Sequence, residues 1–203
     1  MSVILDVLGA VILGGLVLIM LITFQYQITE TAERNMYAAS MADHMEQAST
    51  RLNHVIGLAG LGIEDPKLAV VRADSDAFVF RSYWDYNNNA IGPTSGEPNF
   101  VSISLRESNG ALGKAIEIRQ GTDANIEDDP VLENMGYIFW VDDLGFRYFN
   151  IDNNPSTETT AIRAAELRMT FRRPGPLMDS RPLTNRLQLK CFLMNTYLQE
   201  GTN

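Results

Sequence analysis

From Val3 to Phe24 the chain reads V-I-L-D-V-L-G-A-V-I-L-G-G-L-V-L-I-M-L-I-T-F, with Asp6 as its one charge. That is about the length of apolar helix needed to cross a bilayer. A helix that is apolar on every side has no face to offer water, so it must be covered by lipid or by other helices. A carboxylate within such a surface is costly and needs either a counter-charge or a place near an interface, which makes Asp6 a candidate functional residue. Helix formers at helical spacing then run on through Ile28, Ala32, Met36, Met41, Met45, Ala48, Leu52 and Val55. One continuous helix of about 55 residues, roughly 80 Å long, is predicted. From Gln25 to Ile56 a single face is expected to keep the apolar residues, with Glu30, Glu33, Arg34, Asp43, Glu46 and Arg51 elsewhere. The helix should stop at G-L-A-G-L-G-I-E-D-P, where glycines and Pro66 interrupt it.

Beyond that point short alternating runs predict half-buried strands. Phe78 and Phe80 alternate with Val79 and Arg81, and Val101, Ile103 and Leu105 with Ser102 and Ser104. Ile116 and Ile118 flank Glu117, and Leu167, Met169 and Phe171 alternate with arginines and a threonine. Tyr137 to Val141 is apolar throughout and is followed by D-D-L-G and then Phe146–Ile151, which predicts a hairpin. About six or seven strands are expected, giving an α+β fold in which the long N-terminal helix packs against an antiparallel β-sheet head. The expected organisation is residues 1–24 as a membrane or filament-core helix, 25–65 as its amphipathic continuation and 66–203 as the β-rich head. A chain of 203 residues with 45% hydrophobic content has room for one membrane helix and one head of this kind.

The long N-terminal helix, apolar then amphipathic and followed by strands, resembles the type IV pilin and pseudopilin superfamily. Asp6 carries the resemblance most specifically, because removal of Met1 before the small Ser2 makes it the fifth residue, where family members typically carry a glutamate. The resemblance implies that this acid neutralises the N-terminal amine of a neighbouring subunit, offered by Ser2 or by Met1, as the helices bundle. The chain would be an atypical member, without a recognisable leader peptide. It has no basic leader ending in glycine, no aromatic first residue, no helix proline near the twentieth position and no cysteine pair near the C-terminus. Gly14 and Gly15 are either the place where the helix melts during extrusion, as the family suggests, or small residues that let helices approach closely. Val3, Leu8, Val11, Leu16, Leu18, Met20 and Phe24 are the expected helix-packing residues of the filament core.

What the resemblance implies is a structural subunit of an extracellular pilus-like filament. Such a subunit is a homo-oligomer held in the inner membrane before assembly and moved into the fibre by machinery encoded elsewhere. Two other readings share the sequence: a minor pseudopilin of a secretion or uptake system, and a single-pass anchored protein whose periplasmic head binds a soluble partner. The net charge of −9 argues against a nucleic-acid surface. Basic residues nevertheless cluster, seven of the sixteen falling between Arg163 and Lys190 (Arg163, Arg168, Arg172, Arg173, Arg181, Arg186 and Lys190), while Glu127, Asp128 and Asp129 lie in an acidic stretch. These patches are either solvated surface or pair between stacked subunits.

No enzyme signature is present: there is no G-x-S-x-G, P-loop, G-x-G-x-x-G or H-E-x-x-H, so neither catalysis nor a cofactor is expected. His44 and His54 have no partners at metal-ligand spacing. In D-Y-N-N-N-A-I-G, Asp85, Asn87 and Asn89 have the oxygen spacing that opens a calcium loop, but Ala90 replaces its glycine and Glu97 falls one place late. Turn chemistry accounts for this run and for Asn150, Asp152 and Asn154 without a metal. The single cysteine, Cys191, shares a strand face with Leu187, Leu189 and Leu193 and is expected to be a buried, inert thiol.

Overall fold

The computed structural model of this chain describes residues 2–86, 88–92, 96–110, 113–123, 126, 139–173 and 181–200. The chain is α+β. Helix α1, Ser2–Gly57, is a single helix of 56 residues. Ten strands follow among the described residues: β1 Val70–Ala73, β2 Ala77–Ser82, β3 Trp84–Asp85, β4 Ala90–Ile91, β5 Asn99–Gly110, β6 Gly113–Gly121, β7 Phe139–Val141, β8 Asp143–Phe149, β9 Ala164–Arg173 and β10 Leu183–Phe192. A short helix α2, Met194–Glu200, comes after them. Two compact units result, one holding the chain to Ala42 with 174–183, the other Asp43–Arg173 with Thr184–Asn203.

In the second unit α1 contributes its last turns. Ala48, Leu52, Val55 and Ile56 have no exposed surface, as the four-three spacing predicts for a helix laid against sheets. The end of α1 is held by groups from elsewhere in this unit. The Asn195 amide donates to Gly57 O and Ala59 O at 3.0 and 3.1 Å, and the Ser82 hydroxyl donates to Leu58 O at 2.9 Å. These satisfy carbonyls that a helix C-terminus leaves without partners. Gly60 follows with φ of +75°, and a Cβ there would stand 2.8 Å from Thr196 Cγ2, so both backbone and space call for glycine. The helix therefore ends at Gly57, earlier than the boundary of its continuation at residue 65, and residues 58–65 form the turns that lead into the sheets.

The first sheet runs β1-β2-β5-β6-β7 and the second β10-β9-β8, with β3-β4 a small separate pair. Every pairing whose register is described is antiparallel. Phe78 of β2 meets Phe146 and Tyr148 of β8 at ring-centroid distances of 6.1 and 5.4 Å, so the two large sheets share an aromatic core.

Three expectations are corrected. Tyr137–Val141 and Phe146–Ile151 do not form a hairpin: β7 pairs with β6 in the first sheet and β8 with β9 in the second. The D-D-L-G run is largely strand, since β8 begins at Asp143, and the Asp142 amide donates across to Thr170 O at 2.7 Å. Tyr137 and Ile138 lie outside the described residues. Strand β2 is buried on both faces from Ala77 to Phe80 rather than half-buried. Finally, one face of α1 does not keep the apolar residues from Gln25 to Ile56. Ile28 and Met36 are 52% and 62% exposed, whereas Glu30 and Glu33 are half-buried. The step from Met36 to Met41 turns a helix by about 500°, which leaves the two about 140° apart.

Leu52 tests the packing of α1 in the second unit. Leu52→Ala removes a fully buried side chain from a close-packed site, and an expected loss of about 2–5 kcal/mol follows. Urea unfolding of the two proteins measures it, and a loss under 1 kcal/mol would mean that this stripe does not pack as described.

Candidate functional site

The candidate site is the apolar part of α1, described on its own because it belongs to the first unit. From Val3 to Phe24 every large hydrophobic side chain is exposed, Val3 at 71% and Phe24 at 59%, with Leu8, Val11, Leu16, Leu18 and Met20 between. Asp6 is exposed among them. The stretch is long and apolar enough to cross a membrane. Its one hydroxyl outside Ser2, that of Thr23, donates to Ile19 O at 2.9 Å, so the helix satisfies its own polar side chain. Thr29 and Thr31 repeat this to Gln25 O and Gln27 O.

The helix runs unbroken through Gly14 and Gly15. A Cβ at either would meet nothing within 4 Å, so no contact among the described residues of one chain calls for glycine there. Met1 lies outside the described residues. Ser2 begins the helix.

The run around Asp85 has a different use from the one its spacing suggested. Asp85 is buried, and its carboxylate accepts from the Asn88 amide at 2.6 Å and from Gln120 Nε2 at 3.1 Å. Gln120 Oε1 in turn accepts the Tyr86 N–H at 2.8 Å, and the Tyr86 hydroxyl donates to Val55 O at 2.9 Å. Burial holds the Tyr86 phenol protonated far above its ordinary range. The cluster thus ties the β3–β4 pair to β6 and to α1. Asn89 takes the left-handed conformation of a turn, with φ of 49°, and Asn87 lies outside the described residues. The second such run is a turn in which Asn150 Oδ1 accepts the Asn154 N–H at 2.8 Å and Asn150 O accepts the Asn153 N–H at 3.0 Å. No group of three or more His, Cys, Asp or Glu is placed to hold a metal among the described residues.

Two clusters were not evident from local sequence patterns, and the first joins distant segments. His44 Nε2 accepts the Trp140 N–H at 3.3 Å, and its ring meets Phe171 edge-on at 5.9 Å. Burial and then the nearby Arg173 lower its pKa, against a smaller opposing effect of Asp43. Glu117 of β6 is buried between Arg106 and Arg119, at 3.2 and 2.7 Å. Neither partner of His44 is near it in sequence, so no local spacing pointed to it.

No family model, no curated protein and no solved structure matches this chain.

Two measurements check these environments. Because the pKa of His44 is lower in the folded chain than in the unfolded one, the unfolded state binds the extra proton first. Stability from this residue is full above the ordinary histidine range and is lost as pH falls through that range toward the folded value. His44→Gln should therefore flatten the fall in unfolding free energy between about pH 7 and pH 5. An unchanged slope would remove His44 as its cause. Cys191 is 2% exposed and burial pushes its thiol up to about 11, so native protein should resist thiol reagents at neutral pH and react fully once denatured. Rapid labelling of native protein would contradict this placement.

Proposed function

We propose that this chain is a structural subunit of a pilin-like extracellular filament, held by its N-terminal helix in the inner membrane before assembly and then bundled with other copies through that helix. The observation that carries the reading is the all-round exposure of an apolar surface from Val3 to Phe24 in one continuous helix that also carries a single acid, Asp6. A lone membrane anchor needs the length and the apolarity but has no use for the carboxylate, whereas a bundle of like helices can supply it with a counter-charge from a neighbour. The resemblance implies that this counter-charge is a terminal amine. Arg34, the nearest basic side chain along the same helix, is about 40 Å away. Gly14 and Gly15 support the same reading, since their open flanks leave room for a neighbouring helix to approach closely. The mechanism is transfer of a helix from lipid to a bundle of its own kind, aided by assembly machinery, with no turnover of a substrate.

Asp6→Ala decides between this and a single-pass anchored receptor or a minor, tip-forming subunit. The variant should reach the membrane at least as well as wild type, because a charge has left the apolar stretch. Its filament yield by electron microscopy should fall about tenfold or more, since removing one partner of a buried ion pair strands the other. Asp6→Glu, which keeps the charge, should retain most of it. Wild-type filament yield from Asp6→Ala, or no filaments from the wild type itself, would sink the reading.

A further inference from the structure

The three-stranded sheet β10-β9-β8 carries its exposed charges unevenly. On β9, Ala165, Leu167, Met169 and Phe171 face the core, which puts Glu166, Arg168 and Arg172 on the other side. Glu166 is occupied by Arg168 at 2.7 Å. On β10, Cys191 is buried and Arg186 is exposed on the opposite face. Lys190, on that face too, stands 3.9 Å over the Phe149 ring and donates to Asn153 Oδ1. The β9–β10 side of this face is therefore basic on a chain whose net charge is −9.

The β8 side is acidic. The turn between β1 and β2 runs along the outer edge of β8, where Ser75 O accepts the Phe146 N–H at 2.8 Å and Asp74 O lies 2.8 Å from the Tyr148 hydroxyl. Asp74 is paired with Arg72 at 2.6 Å, but Asp76, Asp142 and Asp143 are exposed, against Arg147 alone on β8. Arg172, Arg186, Asp76, Asp142 and Asp143 form no ion pair among the described residues.

We infer that the basic β9–β10 side of one subunit docks on the acidic β8 side of a second copy. Two different, complementary patches on one chain pair either reciprocally across a two-fold axis, which closes as a dimer, or head to tail in a heterologous contact, which repeats without closing unless its rotation happens to form a ring. The joint is made by side chains and not by strand addition, because the outer edge of β8 already uses the Phe146 amide on Ser75. A long polyanion is a poorer occupant: it would be repelled by the acidic side and by the net charge of the chain. The contact deepens the filament reading and rests on it for the stacking of subunits.

Sedimentation of the full chain in detergent, where no filament forms, tests the joint apart from that reading, which electron microscopy of filaments tests. Wild type should self-associate at low salt and dissociate as salt is raised, because exposed charges are screened. Arg172→Glu with Arg186→Glu should weaken association about tenfold or more, and so should Asp76→Lys with Asp143→Lys. A chain carrying all four changes should regain it, since both sides are reversed together. The neutral versions, Arg172→Gln with Arg186→Gln, should weaken it less, and thermal unfolding checks that each variant is folded. A wild-type chain that stays monomeric at low salt, or association that ignores both pairs of changes, overturns the joint. So does loss of binding to a single-stranded oligonucleotide in the arginine variants while the aspartate variants self-associate normally, which would assign the basic side to a polyanion instead.

Discussion

An apolar helix surface with no polar side cannot be left to water, and the organisation of this chain follows from where the cover comes from. Between Val3 and Phe24 none of it comes from the described residues of the same chain. Between Asp43 and Gly57 most of it does, because Ala48, Leu52, Val55 and Ile56 are closed in by the second unit. One uninterrupted helix therefore has one apolar part that its own chain covers and one that the described residues leave bare. The change is written in side chains and not in the backbone, which needs no break to pass from one to the other. Backbone hydrogen bonds inside a helix are satisfied in lipid, in a bundle or in a protein core alike, so a helix is the one element that serves in all three.

The second unit spends its polar groups on holding that helix in place. Four of its tethers to α1 and the turn after it are hydrogen bonds from residues far along the chain: Tyr86 to Val55 O, Ser82 to Leu58 O, and Asn195 to Gly57 O and Ala59 O. Each is worth about 1 kcal/mol or less in net terms, small beside the apolar burial of Leu52, Val55 and Ile56. Their larger effect is on direction. A hydrophobic stripe tolerates small slides, whereas an amide that must reach two particular carbonyls does not. A shift of α1 by one residue would break these four bonds together, at about 1 kcal/mol each.

Much of this is legible in the sequence. The helix, its extent to within a few residues and the core stripe Ala48–Leu52–Val55 follow from period alone, and so does the inward row Leu167–Met169–Phe171. The errors have a common cause. Period tells which residues share a face of one element but not which element covers that face. Ala77–Phe80 alternates in a way that suggests one wet side, yet both sides are covered. Tyr137–Val141 and Phe146–Ile151 are neighbours in sequence, which suggests a hairpin, but the chain changes sheet between β7 and β8. A single apolar face from Gln25 to Ile56 is not kept either, because the five-residue step from Met36 to Met41 rotates one away from the other. At the candidate site, Asp6 and the glycines stand out as anomalies in an apolar run, whereas His44 does not, since its partners Trp140 and Phe171 lie far away in sequence.

Buried charge in the second unit separates what the fold uses for itself from what it leaves available. Glu117 is enclosed with Arg119 and Arg106, and Arg163, 3% exposed, donates to the carbonyls of Thr160 and Ile162 at 2.9 and 2.8 Å. Glu166 is paired with Arg168. Such groups gain little stability over apolar residues of similar size, because desolvation offsets most of the attraction. Their consequence is subtractive: Arg163 is drawn into the interior, and Arg168, which stays exposed, is matched by Glu166. Of the seven basic residues between Arg163 and Lys190, the two at the start of the run are engaged within the fold. Those farther along, Arg172 and Arg186, reach the exposed face of the sheet without an internal acid. On a chain of net charge −9, these arginines therefore stand on the surface without an ion pair among the described residues.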